Sequence, residues 1–341
     1  MEKVIRCIGE LPPPYGGVTV KCELLAQEIR KYHLVEMIDL MKCKHKVYHL
    51  PSAILKILKA FIKSERILYM LDSKHLQQML NIQRLFPHSL EDTVIIAMGG
   101  KFHEKILNNC SLSTTCRQVR SIWVETEEMK ASLEQCSFSN VRVFPNPKSS
   151  EGCCPPRERK SGAPIRLVFF SQISREKGVA DIMELVKLLD QDGTIPYTLD
   201  FYGHVVPDFK EEFEAFLPIS GHVRYCGVFD SAKDNVYQKL NEYDVLLFPT
   251  RWEGEGVPGI LVEAKMAGLA VIASRQNYNA ELVREDLQEG ILLNDQYAEE
   301  MFQAIGLLSK QSDKLQTIKN ASYESRIRFT IEHYSDFFEN I

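Results

Sequence analysis

Two carboxylates eight residues apart, Glu255 and Glu263, bracket the stretch "EGVPGILVE", where an apolar run gives way to helical spacing. Acid pairs serve hydrolysis, metal binding, hydroxyl recognition or plain solvation, and their neighbours separate these uses. Pro258 suits a first helical turn, because its missing N–H would have no intrahelical partner there. A helix over "PGILVEAKMAG" stops at Gly268, with Glu255 in the preceding loop and Glu263 about one and a half turns inside. The amides of Gly256 and Val257 then stand near the positive end of that helix. Carboxylates for hydroxyls and a helix end for negative charge suit a ligand with hydroxyls at both ends and phosphate between, the form of a nucleotide-sugar. A solvated acidic loop is the alternative for "EGEG" alone, but Glu263 lies in an otherwise apolar segment where an unbonded carboxylate is costly.

Two more loops carry residues suited to phosphate. In "SQISREKG", Lys177 precedes Gly178 at a helix start, where a cation and open backbone amides can hold a diphosphate; an ordinary surface lysine is the competing reading. In "GELPPPYGGVTV", Gly16 and Gly17 allow close backbone approach, although the stretch matches neither a dinucleotide fingerprint nor a P-loop and reads equally as a tight turn. The one D-x-D match, Asp190 and Asp192 in "LLDQDGT", reads as a helix-ending turn, so no metal site is assigned.

These loops need a scaffold. Strand-length apolar runs alternate with helical patterns: "KVIRCIGE", "HLVEMIDL", "RILYML", "TVIIAM", "SIWVE" and "VRVFPN" in the first half, "IRLVFFS", "YTLDFYG", "VRYCGVF", "DVLLFPT" and "LAVIAS" in the second. Such alternation predicts parallel sheets covered on both faces. Residues 146–164 are rich in Pro, Ser, Gly and charge and have no apolar period, which marks a break with a linker at 151–164. The expectation is an α/β chain of two Rossmann-like, doubly wound domains, 1–150 and 165–325, facing across a cleft lined by strand-to-helix loops.

With 341 residues and 45% hydrophobic content, the chain can build two cores. Residues 1–160 carry 24 Lys and Arg against 17 Asp and Glu, and residues 161–341 carry 17 against 29, so the first half favours an anionic partner. The nine cysteines show no C-x-x-C and no zinc spacing, which fits a reduced, cytoplasmic protein. No apolar segment is long enough to span a bilayer, and the N-terminal "MEKVIRCIGE" does not read as an export signal. The stretch "PSAILKILKAFIKSERIL" sets Lys56, Lys59 and Lys63 on one helical face, with Ile54, Leu55, Leu58, Phe61 and Ile62 on or near the other. It reads as a core helix with a solvated lysine face or as a helix resting on an anionic membrane surface.

Taken together, "EGVPGILVEAKMAGLAVIAS", "SREKG", "PPPYGGV" and "VFPNP" resemble the family 4 retaining glycosyltransferases, whose E-x7-E signature and GT-B fold the first of these evokes. The resemblance spans nearly the whole chain and is strongest over residues 165–285. It implies transfer of a sugar from a nucleoside diphosphate sugar to a saccharide or lipid-linked acceptor hydroxyl, with no cofactor and no nucleic acid, in polysaccharide or glycolipid assembly. Carried over, Glu263 would bond the ribose, Glu255 the donor sugar beside Gly256, Val257 and Pro258, and Lys177 the diphosphate, with Gly16 and Gly17 bordering it. The same resemblance implies a C-terminal helix, 326–341, crossing back to the first domain, and a first-domain histidine near the transferred sugar, for which His103 in "AMGGKFHEKIL" is the candidate. One position departs: the family's Arg five residues before the lysine is Gln172 here, with Arg175 and Arg251 as candidate substitutes. A non-catalytic nucleotide-sugar binder and a glycoside hydrolase remain as alternatives.

Overall fold

The computed structural model describes residues 4–13, 16–45, 47–63, 65–160, 162–231 and 233–341, with only the backbone at His45 and Val47. Pro14 and Tyr15 of the glycine loop and Ser161 of the expected linker lie outside the described residues.

The chain divides into two units, Met1–Ser149 with Ile331–Ile341, and Ser150–Thr330. The first holds a six-stranded parallel sheet of β1 (Ile5–Gly9), β2 (Val35–Asp39), β3 (Arg66–Asp72), β4 (Thr93–Met98), β5 (Ser121–Val124) and β6 (Val141–Val143). Its order is β2-β1-β3-β4-β5-β6. β1 and β4 are buried along their whole length, as strands with both faces covered must be. Helix α1 (Gly17–Ile29) follows β1, α2 (Leu50–Lys63) leads into β3, and α3 (Phe102–Leu107) follows β4.

The second unit holds β7 (Ile165–Phe170), β8 (Tyr197–Tyr202), β9 (Val223–Tyr225), β10 (Val245–Phe248), β11 (Ala270–Ser274) and β12 (Ile291–Leu293), in the order β12-β11-β10-β7-β8-β9, again all parallel. Helix α4 (Val179–Asp192) follows β7 and α5 (Gly259–Met266) follows β10. One apolar cluster packs Val179, Ile182, Val186 and Leu189 of α4 against Phe169, Phe201 and Leu247, and a second packs Leu261 and Val262 of α5 against Val168, Leu246 and Val271. Alternate residues of the central strands thus feed opposite layers.

Two boundaries differ from the sequence expectation. The Pro-rich stretch does not bridge as a free linker but is pinned within the second unit. The Cys154 N–H donates to Met266 O at 3.0 Å, Arg159 donates to Ser309 O at 3.0 Å, and Lys319 Nζ donates to Arg157 O at 2.5 Å. The C-terminal segment is two 3-10 turns, Arg326–Phe329 and Ile331–Tyr334, and a short helix, Ser335–Glu339, not one helix. Its last eleven residues count with the first unit, where Trp123 and Phe144 stack against Phe337 and Phe338 at 4.9–6.2 Å between ring centroids.

Candidate functional site

In the second sheet, the chain runs outward from β7 to β8 and β9 on one side and from β10 to β11 and β12 on the other. Between β7 and β10, therefore, the two loops leaving the carboxyl ends part in opposite directions, the place where open α/β sheets bind ligands. Lys177 belongs to the loop after β7 and Glu255 to the loop after β10. Their side chains meet in an ion pair although 78 residues apart, and each is mostly shielded from solvent, at 15% and 19% exposed.

The two loops are locked to each other by backbone contacts. Gly178 takes a φ of +77°, and a β-carbon there would stand 1.9 Å from Pro249 O, so only glycine lets the turn after Lys177 lie against the end of β10. The Arg251 N–H donates to Glu176 O at 2.7 Å. Buried Ser274, at the end of β11, donates to Thr250 O at 2.7 Å, and buried Asn279 donates to Ser274 O at 3.0 Å. Ser174 Oγ accepts the Lys177 N–H at 3.3 Å. Three strand ends are thus stitched together beneath the Lys177–Glu255 pair.

Helix α5 starts one residue later than the sequence reading placed it, at Gly259. Pro258 is the N-cap residue at φ −64° and ψ 122°, and Gly268, at φ +68°, lies just past the C-cap Ala267. Gly256, Val257 and Pro258 are buried in the approach to the helix, and Glu263 is half-buried within it. Glu255 is thus a loop residue and Glu263 a helix residue of one strand-to-helix connection.

Gln172 is exposed. The two arginines weighed as substitutes for the missing cation each pair with a carboxylate outside the Lys177–Glu255 pair. Arg175 pairs with Glu212, and Arg251 makes a bidentate pair with Asp181 at 2.7 and 2.9 Å while its guanidinium lies 4.1 Å from the Tyr297 ring centroid. Asp190 and Asp192 are spent locally, Asp190 accepting from Tyr197 Oη at 2.7 Å and Asp192 from the Thr194 N–H at 3.0 Å.

In the first unit, Gly16 is the N-cap of α1, its N–H bonded to Thr19 Oγ1 at 3.0 Å, and Gly17 is the first helical residue. Among the described residues neither has a neighbour that forbids a side chain by contact: at Gly16 only Thr19 Oγ1 comes as near as 4.0 Å, and at Gly17 nothing lies within 4 Å. His103, on α3, is 7% exposed, and burial lowers its pKa against the opposing pull of Glu104 and Glu128. Sequence reasoning missed the supports at Thr250, Ser274 and Asn279. Their only signal was polar residues at the ends of apolar strands, "FPT" and "VIAS".

The two sheets and their order define the GT-B fold. Along 99% of the chain, the structure resembles HepE of Anabaena, crystallised with UDP (TM-score 0.74, 14% identity, 97% of that chain), and the apo lipopolysaccharide outer core galactosyltransferase WaaB (TM-score 0.67, 20% identity, 98% of that chain). Residues 164–311 match the family model of group 1 glycosyl transferases. Among curated proteins, an uncharacterised 41.2 kDa protein of the cps region of Klebsiella pneumoniae is 31% identical over 130 residues, which is 38% of this chain and 33% of that protein. The amylovoran biosynthesis glycosyltransferase AmsK of Erwinia amylovora is 27% identical over 129 residues, 36% of this chain and 31% of that one. The match therefore spans about a third of the length of these curated relatives.

Proposed function

We propose that this chain is a retaining glycosyltransferase that moves a sugar from a nucleoside diphosphate sugar to a hydroxyl of a saccharide or lipid-linked saccharide, in polysaccharide or glycolipid assembly. The observation that carries the reading is the Lys177–Glu255 pair, set between the diverging loops of β7 and β10 and followed by the start of α5. The family match over residues 164–311 covers this site, and HepE, a structural relative, was crystallised with UDP and with UDP-glucose, which favours a nucleotide-sugar donor.

In this reading Lys177 neutralises the diphosphate as the glycosidic bond breaks, aided by the amides of Gly256 and Val257 at the start of α5. Glu255 accepts hydrogen bonds from hydroxyls of the donor sugar and Glu263 from the ribose, so the donor is held at both ends. Within the first unit, Gly16 and Gly17 are assigned to phosphate and His103, its pKa lowered by burial, to the transferred sugar. Gln172 offers the phosphates hydrogen bonds without charge. The reaction needs no metal and no cofactor, and the protein works in the cytoplasm at the inner membrane face.

The test is a thermal-shift panel of nucleoside diphosphate sugars on the wild type and on Glu263→Ala. A donor should raise the melting temperature of the wild type and lose most of that effect in the variant; an equal response in both sinks the assignment. A second reading, a nucleotide-sugar binder without catalysis, draws on Gln172 and on the commitment of Arg175 and Arg251 to other carboxylates. Donor binding with neither transfer nor slow donor hydrolysis over a broad acceptor panel favours it.

A further inference from the structure

Residues 40–64 contain six lysines and no aspartate or glutamate, the longest acid-free basic run of the first unit. Helix α2 forms its second half, and three of its i, i+4 rows have distinct surroundings. The row Ala53, Ile57, Phe61 is buried, and Phe61 packs on Phe86 at 5.6 Å between ring centroids. The adjoining row Ile54, Leu58, Ile62 is turned outward, with Ile54 47% and Ile62 65% exposed. The next row is Leu55, at 69% exposed, followed by Lys59 and Lys63, both exposed. The sequence expectation is thereby corrected: Phe61 faces the core, and Ile54, Leu55 and Ile62 form a solvent-facing stripe bordered by lysines, with Leu58 half-buried between them. Lys56 pairs with Glu36 at 2.8 Å, whereas Lys59 and Lys63 are exposed and have no ion pair among the described residues.

A globular surface gains nothing from leaving three large aliphatic side chains this open along one helix. A helix of 14 residues is too short to span a bilayer. It is long enough to lie in the headgroup layer with its stripe among the acyl chains and its lysines on lipid phosphates. We infer that α2 docks the protein on an anionic membrane, Ile54, Leu55 and Ile62 inserting and Lys59 and Lys63 holding the headgroups. The occupant is a lipid surface because the stripe is narrow and flanked by charge of one sign, which matches anionic headgroups and would repel the same lysines of a second copy. The inference rests on the proposed transferase only for its purpose, presentation of a lipid-linked acceptor; the docking itself follows from α2.

The test is flotation of the full chain with phosphatidylcholine vesicles, alone or with one third phosphatidylglycerol, at low and high salt. The wild type should float with the anionic vesicles at low salt and lose most of that binding at high salt. Lys59→Gln/Lys63→Gln should weaken it roughly 30-fold, at about one elementary contact per lysine, and Leu55→Glu/Ile62→Glu at least about 100-fold. All variants should melt within a few degrees of the wild type and keep its thermal shift with donor, so a lost donor response counts against the transferase and not against docking. Failure of the wild type to bind anionic vesicles, or undiminished binding by the variants, overturns the inference. So does a mass in sedimentation that falls from dimer to monomer in Leu55→Glu/Ile62→Glu, which would assign the stripe to a second copy.

Discussion

Replacing Gly178 by alanine isolates the interlock under the candidate site, because the added atom meets backbone and not a movable side chain. At φ +77° an alanine costs about 1–2 kcal/mol in backbone conformation alone. Its β-carbon would also stand 1.9 Å from Pro249 O, 2.7 Å from Pro249 C and 2.9 Å from Pro249 Cγ, so the turn and the end of β10 must separate by roughly 1 Å or the backbone must rotate. Overpacking of this kind adds about 1–3 kcal/mol, for a total of roughly 2–5 kcal/mol. The displacement falls between Lys177 and the loop that holds Glu255, so donor binding should suffer with stability. Urea unfolding followed by a probe of the second unit, paired with donor thermal shift, measures both. Gly221→Ala, in the same unit and with no described atom within 4 Å of the added carbon, is the control and should change stability by less than about 0.5 kcal/mol. If Gly178→Ala unfolds within that same margin, the two loops are not interlocked and the site geometry argued from them fails.

On the proposed mechanism Lys177 meets charge that develops in the transition state, so Lys177→Met should lower transfer or donor hydrolysis by about 100-fold or more, chiefly in kcat; steady-state kinetics with a responsive acceptor checks it. Lys265, fully buried against Glu289 at 2.9 Å, has its pKa pushed down to about 8 by burial. The unfolded chain then holds that proton more tightly between about pH 8 and 10.5, so the wild type should gain stability relative to Lys265→Met as pH rises through that window, seen in paired denaturation profiles. His103 is also lowered by burial, so its neutral form favours the folded state above pH 6.5 and that contribution is lost as pH falls through the folded value. Relative to His103→Phe, the wild type should weaken in thermal melts taken from pH 6.5 downward.

The sheets were legible because their central strands are unbroken apolar runs, and eleven of the twelve strands coincide with segments picked out by pattern. β12, Ile291–Leu293, was not picked out, although it is no shorter than the edge strands β6 and β9, which were. The glutamate-bearing connection was also legible, since Pro258 and Gly268 punctuate α5 in the local sequence. The fates of Arg175 and Arg251 were not. Arg251 meets Asp181 across 70 residues, a pairing set by how β7 and β10 lie side by side and invisible to any local spacing. The pinning of Cys154 and Arg159 likewise depends on distant backbone acceptors, Met266 O and Ser309 O, which leave no period in the stretch itself.

The return of Ile331–Ile341 to the first unit has a topological consequence. The chain leaves that unit after Ser149 and re-enters it at Ile331, whose N–H donates to Lys148 O at 2.8 Å, so the points of departure and return are adjacent. The second unit, Ser150–Thr330, is thus an insert within the sequence of the first, and the first unit closes its own core only after the insert has been made. Phe338, fully buried, and Ile341, at 2% exposed, are the closing pieces. A chain cut at Thr330 would keep the insert whole and leave the first unit open, whereas a short bridge from Ser149 to Ile331 would excise the insert and let the first unit seal itself.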